Sequence, residues 1–174
     1  MEEIVLALQQ PETKEQTFKK LMDTYQKRLY AHIYRYVNNH EDTNDVLQNT
    51  FIKIWKNIDA FRNECSLYSW LYRIAANEAI TFLNKNNKQK TVAIEDTKIA
   101  RASGFDTENS QQIELKFKLA LEELPEKQRQ VFILRYYDEM PYEKMSEVLE
   151  TSEGALKASY HHAVKKIEKI LLQH

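Results

Sequence analysis

One cysteine, two glycines and three prolines among 174 residues leave this chain without the means of several architectures. Cys65 alone forms no internal disulfide and cannot supply a structural zinc set. So little glycine and proline denies the chain the tight turns of a sandwich or barrel, and no stretch of strand alternation takes their place. Long apolar runs are missing as well: nothing approaches the roughly 18 residues of a membrane span, and Met1-Glu2-Glu3 lacks the positive start of a secretion signal. The expectation is a cytoplasmic protein that does not insert into a membrane. Gly104 and Gly154 stand alone, so no phosphate-cradling loop is present, and no paired carboxylates or nucleophile with a base appear. His161 and His162 are neighbours, about 100° apart on a helix, and make poor joint metal ligands. No enzyme, cofactor or metal site is expected. An excess of positive charge is also absent, since the formal net charge is −1. Phosphate neutralisation by Lys and Arg supplies most non-specific DNA affinity, so a DNA-binding role for this chain needs segregated basic groups or a larger partner.

What the chain does have is helical periodicity and 29% charged residues. From Leu124 to Ile170 the pattern predicts a helix-turn-helix, the shape that fits its second helix to the major groove. Pro125 opens one helix, which carries Val131, Phe132, Leu134 and Arg135 on to Tyr137. Pro141 starts the next, with Met145, Val148 and Leu149 on a buried face and Glu143, Lys144 and Glu147 expected outward. Glu150, Thr151 and Ser152 form the turn, with Ser152 as N-cap. The last helix turns Leu156, Tyr160, Ala163, Ile167 and Ile170 inward, leaving Ala155, Lys157, Ala158, Ser159, His161, His162 and Lys165 for a groove. A hairpin with a merely solvated basic face gives the same periodicity.

The first half has its own pattern. Phe18, Leu21, Tyr25, Leu29, Ile33, Tyr36 and Val37 predict an amphipathic helix over 17–37, broken at Asn38-Asn39-His40. Asp42 and Asp45 then place negative charge near the start of the next helix, where the macrodipole favours it. Leu47, Phe51, Ile54 and Ile58 form its core stripe, flanked by Trp55, with Asp45, Gln48, Asn49, Ile52 and Lys53 on the other side. A polar loop, Phe61 to Ser66, leads into a third helix reaching about Asn84. Leu67, Leu71, Ile74, Ala75 and Leu83 point inward there, while Tyr68, Trp70, Tyr72, Arg73 and Asn77 crowd beside the loop. Aromatics near Arg and Asn suit stacking on unpaired bases; Trp70 and Tyr72 equally suit the boundary of a core.

The run Asp45-Val46-Leu47-Gln48-Asn49-Thr50-Phe51-Ile52-Lys53-Ile54-Trp55, then Phe61-Arg62, then Ser69-Trp70-Leu71-Tyr72-Arg73-Ile74-Ala75-Ala76-Asn77 resembles the first domain of the extracytoplasmic-function sigma factors of bacterial RNA polymerase. Leu124-Pro125-Glu126-Lys127-Gln128-Arg129, Tyr142-Glu143 and Gly154-Ala155-Leu156-Lys157 resemble that family's second domain. The expected architecture is all-α: a first helical domain over 1–88, a flexible linker over 89–110 within the polar stretch Asn86 to Gln112, and a helix-turn-helix domain over 111–174.

The resemblance implies a promoter-specificity subunit without catalysis of its own, partnered by core polymerase, promoter DNA and a cognate anti-sigma factor. Asp45, Gln48, Asn49 and Ile52 match the family's polymerase-binding face. Arg62, Asn63, Glu64, Ser66, Trp70, Tyr72, Arg73 and Asn77 match its minus-ten reading loop and adjoining helix. The helix carrying Ala155, Lys157, Ala158, Ser159, His161, His162 and Lys165 matches its minus-thirty-five reader. Two departures stand out. Asn63 replaces the family's usual Gly, which alters the expectation for the loop's shape. Ser159 and His162 stand where Arg is common, and Ala158 replaces Ser or Thr, implying fewer guanine contacts and more contact with thymine methyls. The reading from a different class is a stand-alone helix-turn-helix regulator.

Overall fold

The computed structural model describes residues 2–93 and 109–172, all in helices and short connections, with no strand among the described residues. Eight α-helices follow in order: α1 (Glu2–Gln9), α2 (Pro11–Val37), α3 (His40–Asn57), α4 (Leu67–Ala93), α5 (Asn109–Glu122), α6 (Glu126–Phe132), α7 (Tyr142–Leu149) and α8 (Glu153–Leu172). The expected all-α class holds. Helix α4 enters the stretch read from sequence as linker and α5 opens before its end; residues 94–108 lie outside the described ones.

Local chemistry sets the boundaries. Pro11 takes the first turn of α2, where its missing N–H costs nothing. Asn38 closes that helix in the left-handed region at φ 59°, its N–H donating to Tyr34 O at 2.8 Å. Asn39 then caps α3, its Oδ1 accepting from Asp42 N at 3.0 Å, and Glu41 and Asp42 put negative charge in the first turn. Asp45, expected to share that role, sits one turn further on.

Helices α2, α3 and α4 bury Leu29, Ile33, Ile54 and Leu71 completely, each worth about 1.5–3 kcal/mol relative to exposure. Helix α1, which the sequence reading left unassigned, packs on α2 through Val5 and Leu8. In the second half, Ala120, Leu121, Leu124, Phe132, Ala163 and Ile167 form a smaller core among α5, α6 and α8. The main core does not end with α4: Ile133, Leu134, Met140, Met145, Val148 and Leu156 continue it into the helix-turn-helix.

Between α6 and α7 the chain takes a wide turn of π-helix, Ile133–Tyr137, before Glu139 turns left-handed at φ 50°. This bulge carries Asp138 onto α2. Its carboxylate meets His32 Nδ1 at 2.6 Å and Arg35 Nη1 at 2.5 Å, with His32 and the Asp138 side chain 0% and 4% exposed. A buried carboxylate persists only with such partners. Arg129 of α6 donates to the carbonyl of Tyr36, so three polar ties from α6 and the bulge reach α2.

Candidate nucleic-acid interface

Helix α3 offers the first surface. With Val46, Phe51 and Ile54 buried, the 3.6-residue period leaves Asp45, Gln48, Asn49 and Ile52 exposed on one side, as expected. Ile52 is 45% exposed and Trp55 lies nearby, its ring under the Lys14 ammonium at 4.8 Å. Lys53 pairs with Glu78 of α4, fastening the edge of this face to the next helix.

The second surface is the loop from Phe61 to Ser66. Gln9, at the end of α1, donates from Nε2 to the carbonyls of Ile58 and Phe61 at 3.0 and 2.9 Å, so α1 braces the loop's entry. A glutamine ending a short apolar helix carries no local sign of this, because its partners lie about fifty residues away. Arg62, Asn63 and Glu64 are exposed. Asn63 stands at φ 57°, the left-handed region that Gly and Asn enter most readily, so the departure from Gly leaves that turn conformation accessible. Ser66 caps α4, its Oγ accepting from Ser69 N at 3.2 Å. Phe61, Arg62, Glu64, Cys65, Trp70 and Arg73 line a hollow of about 350 Å³. Trp70 forms one wall with its ring 4.9 Å from that of Phe61.

Of the eight residues expected here, seven gather along the loop and the adjoining face of α4, with Asn77 one turn beyond Arg73. Tyr72 does not join them. Two helical steps from Trp70 it points about 200° away, is 3% exposed, and packs against His32 and Tyr68 at 4.9 and 4.5 Å. Burial, then its hydrogen bond with Tyr68, push its phenol far above the usual range. Tyr72 is a core aromatic in this conformation.

Arg73 and Ser66 are already engaged. Arg73 Nη1 lies 2.5 Å from Glu150 Oε1, and its Nη2 donates to Glu147 O at 2.7 Å and to Cys65 Sγ at 3.4 Å. Ser66 gives its N–H and its hydroxyl to Glu147 Oε2 at 3.2 and 3.0 Å. Glu147 was expected to face outward; it turns instead onto this loop, where two Ser66 donors and Lys144, at 2.7 Å, satisfy its carboxylate. Burial raises the Glu147 pKa, but hydrogen bonds from Lys144, Ser69 and both Ser66 donors outweigh it and hold the carboxyl at about 2.

Helix α8 supplies the third surface. Ser152 accepts from Ala155 N at 3.4 Å, the N-cap expected for it. Leu156, Ala163 and Ile167 are buried, while Ala155, Lys157, Ala158, His161, His162 and Lys165 are exposed and Ser159 is partly covered. At about 100° per residue, Ala155, Ala158, His162 and Lys165 fall within one arc, with His161 and Lys157 beside it. Lys157 pairs with Glu153 at 3.2 Å and Lys165 with Glu168 at 3.8 Å. These are exposed helical pairs that phosphate can replace at small cost.

A further exposed group was missed. Ile113, Leu115, Leu119 and Tyr136 are each at least half exposed, whereas Ala120 and Leu121 of the same helix are buried. The signal was there and corrects the reading that no strand-like alternation is present: apolar residues at 113, 115, 117, 119 and 121 alternate, and on a helix alternation places them on two sides.

Residues 21–89 match the family Sigma-70 region 2, and residues 114–167 match Sigma-70, region 4. Along most of its length the chain is 27% identical to the ECF RNA polymerase sigma factor SigW of Bacillus subtilis, over 88% of each chain. It is 28% identical to the ECF RNA polymerase sigma-E factor of Escherichia coli, over 88% of this chain and 86% of that one. Among solved structures, CnrH in complex with the cytosolic domain of CnrY shares the fold with a TM-score of 0.70 at 21% identity, over 97% of this chain and 96% of that one. The sigma factor RpoE bound to the anti-sigma factor NepR, from Bartonella quintana, shares it with a TM-score of 0.65 at 24% identity, over 88% and 96%.

Proposed function

The chain belongs to the sigma-70 family, among its extracytoplasmic-function sigma factors, and from that premise we propose how its three surfaces divide the work of promoter-specific initiation. Residues 1–88 act as the polymerase-binding and minus-ten unit, and 111–174 as the minus-thirty-five unit. Asp45, Gln48, Asn49 and Ile52 on α3 meet core polymerase. A polar contact with one apolar centre suits a subunit that must exchange, because apolar area is small and rim charges set the encounter rate.

The loop Arg62, Asn63, Glu64 and Ser66, with Trp70, Arg73 and Asn77, takes a base from the non-template strand of the minus-ten element. Extrusion costs a few kcal/mol, and contacts made only with the base out offset it: stacking on Trp70 and hydrogen bonds from Arg73 and Asn77. The hollow walled by Phe61 and Trp70 is the observation that carries this reading. Helix α8 reads the minus-thirty-five duplex, with Lys157 and Lys165 on phosphates and the arc from Ala155 to His162 over base edges.

Nucleotidyl transfer belongs to core polymerase, so the chain performs no catalysis. It works in the cytoplasm; among the described residues no helix is long and apolar enough to cross a membrane. An anti-sigma factor is the second proposed partner, supported by the anti-sigma partner of the similar sigma factor RpoE. Footprinting separates this reading from a stand-alone regulator. The free chain is expected to leave a promoter fragment unprotected and to protect two spaced elements once core polymerase is added; protection of a palindrome by the chain alone would overturn it.

A further inference from the structure

A second hollow, of about 290 Å³, opens on the side of α2, away from the three surfaces assigned to promoter and polymerase. Arg28, Ala31 and Arg35 line it from α2 at the spacing of one helical face, and Tyr68 and Tyr72 line it from α4 at the i, i+4 spacing. The small side chain of Ala31 leaves its floor open. Tyr137 and Asp138 of the bulge close the far wall. The volume lies near the lower bound, roughly 300 Å³, of sites that hold small molecules.

The charges in this hollow do not cancel. Asp138, its one carboxylate, is taken up by Arg35 Nη1 at 2.5 Å and His32 Nδ1 at 2.6 Å. Arg28 is exposed and has neither an ion pair nor a hydrogen bond among the described residues, so its guanidinium is an uncompensated positive charge at the rim. Arg35 spends one nitrogen on Asp138 and lies over the Tyr137 ring at 4.8 Å, which keeps the rest of its planar fork in place. Tyr68 and Tyr72 share one hydrogen bond, so one phenolic proton of the pair remains to be given. Guanidinium forks and a phenol donor are the groups that receive a phosphate. The remaining lining is phenolic ring, against which a flat ring packs.

We propose that this hollow binds a small phosphomonoester carrying a planar ring, the chemistry of a mononucleotide, with its phosphate on Arg28 and Arg35 and its ring against Tyr68. The site goes beyond the sigma-factor reading, and it is measured on the full chain without polymerase, so its failure leaves that reading where it stands. Its walls come from both halves of the sequence. Occupancy therefore stabilises the folded chain, and the melting midpoint rises with ligand concentration.

The test is calorimetric titration of the full chain with the common ribonucleoside monophosphates, with the phosphate-free nucleosides, inorganic phosphate and a single-stranded oligonucleotide as comparisons. At least one monophosphate is expected to bind with a Kd below about 1 mM, and its nucleoside about tenfold or more weakly, the loss of a charge-assisted contact. Arg28→Ala should weaken the monophosphate by about tenfold or more. Ala31→Leu, which fills the floor and keeps a strong helix former, should do the same by excluding the ligand. Lys27→Ala is the control: it removes the same charge from the neighbouring exposed position, about 100° round the helix, and should change the affinity by less than about twofold. Circular dichroism of each free variant checks the fold, and the two binding variants disturb the hollow independently. Absence of binding overturns the site, as do equal losses from Arg28→Ala and Lys27→Ala, which mean diffuse charge. Inorganic phosphate binding as tightly as the monophosphate also overturns it, leaving an anion contact without the ring. An oligonucleotide that outcompetes the monophosphate and loses affinity with Arg28→Ala overturns it too, assigning the hollow to a DNA strand.

Discussion

Replacing Trp70 with alanine is expected to lower open-complex formation by about tenfold or more while holoenzyme assembly stays normal. The indole forms a wall of the loop's hollow at 4.9 Å from Phe61. Base stacking on an aromatic is worth about 1–3 kcal/mol, and each 1.4 kcal/mol is about tenfold. Because the stacking exists only once the base is out, its loss falls on strand opening and spares the prior polymerase contact. Permanganate reactivity of unpaired thymines reads the effect directly. Trp70→Phe, which keeps a ring for stacking, should recover most of it. Normal opening by the alanine variant would mean that Trp70 serves the boundary of the core and nothing more.

The second large effect is expected from Gln48→Lys, with polymerase affinity falling by about thirtyfold, the loss of about 2 kcal/mol typical of an interface hot spot. Gln48 is exposed at the middle of the α3 face, with Asp45 one turn before it and Ile52 one turn after. A lysine there brings a strongly hydrated ammonium into a face whose apolar contact is Ile52, one turn away. Gln and Lys have similar helix propensities, so circular dichroism and melting should not change. Fluorescence anisotropy of the labelled chain titrated with core polymerase measures the affinity; an unaltered Kd would remove α3 as the docking face.

How much the sequence discloses depends on how far a residue's partners lie along the chain. The break between α2 and α3, the cap at Ser152 and the inward stripe of Leu156, Ala163 and Ile167 rest on neighbours within a turn or two, and all were legible. The stripe on α3 was legible for the same reason, since a 3.6-residue period that buries Phe51 and Ile54 must expose Gln48 and Ile52. Glu147 was misread because its partner Ser66 is 81 residues away. A glutamate on a short amphipathic helix looks like a solvated face until the loop that receives it is in place. Asp138 and His32, 106 residues apart, show the same limit. Tyr72 was grouped with Trp70 by closeness in sequence, which a helix contradicts at two steps. Asn63 went the other way: the residue that cast doubt on the loop's shape has the left-handed conformation for which Asn is suited.

The most direct test of the account is multi-round transcription by purified bacterial core polymerase on sheared genomic DNA from the source organism, with starts mapped in the presence and absence of the chain. The account predicts starts that appear only on addition and share two spaced upstream elements. The distal element should not depend strictly on guanine, because the α8 arc presents Ala155, Ala158 and His162 and no arginine. No new starts from a mixture in which the chain demonstrably binds core polymerase would contradict it.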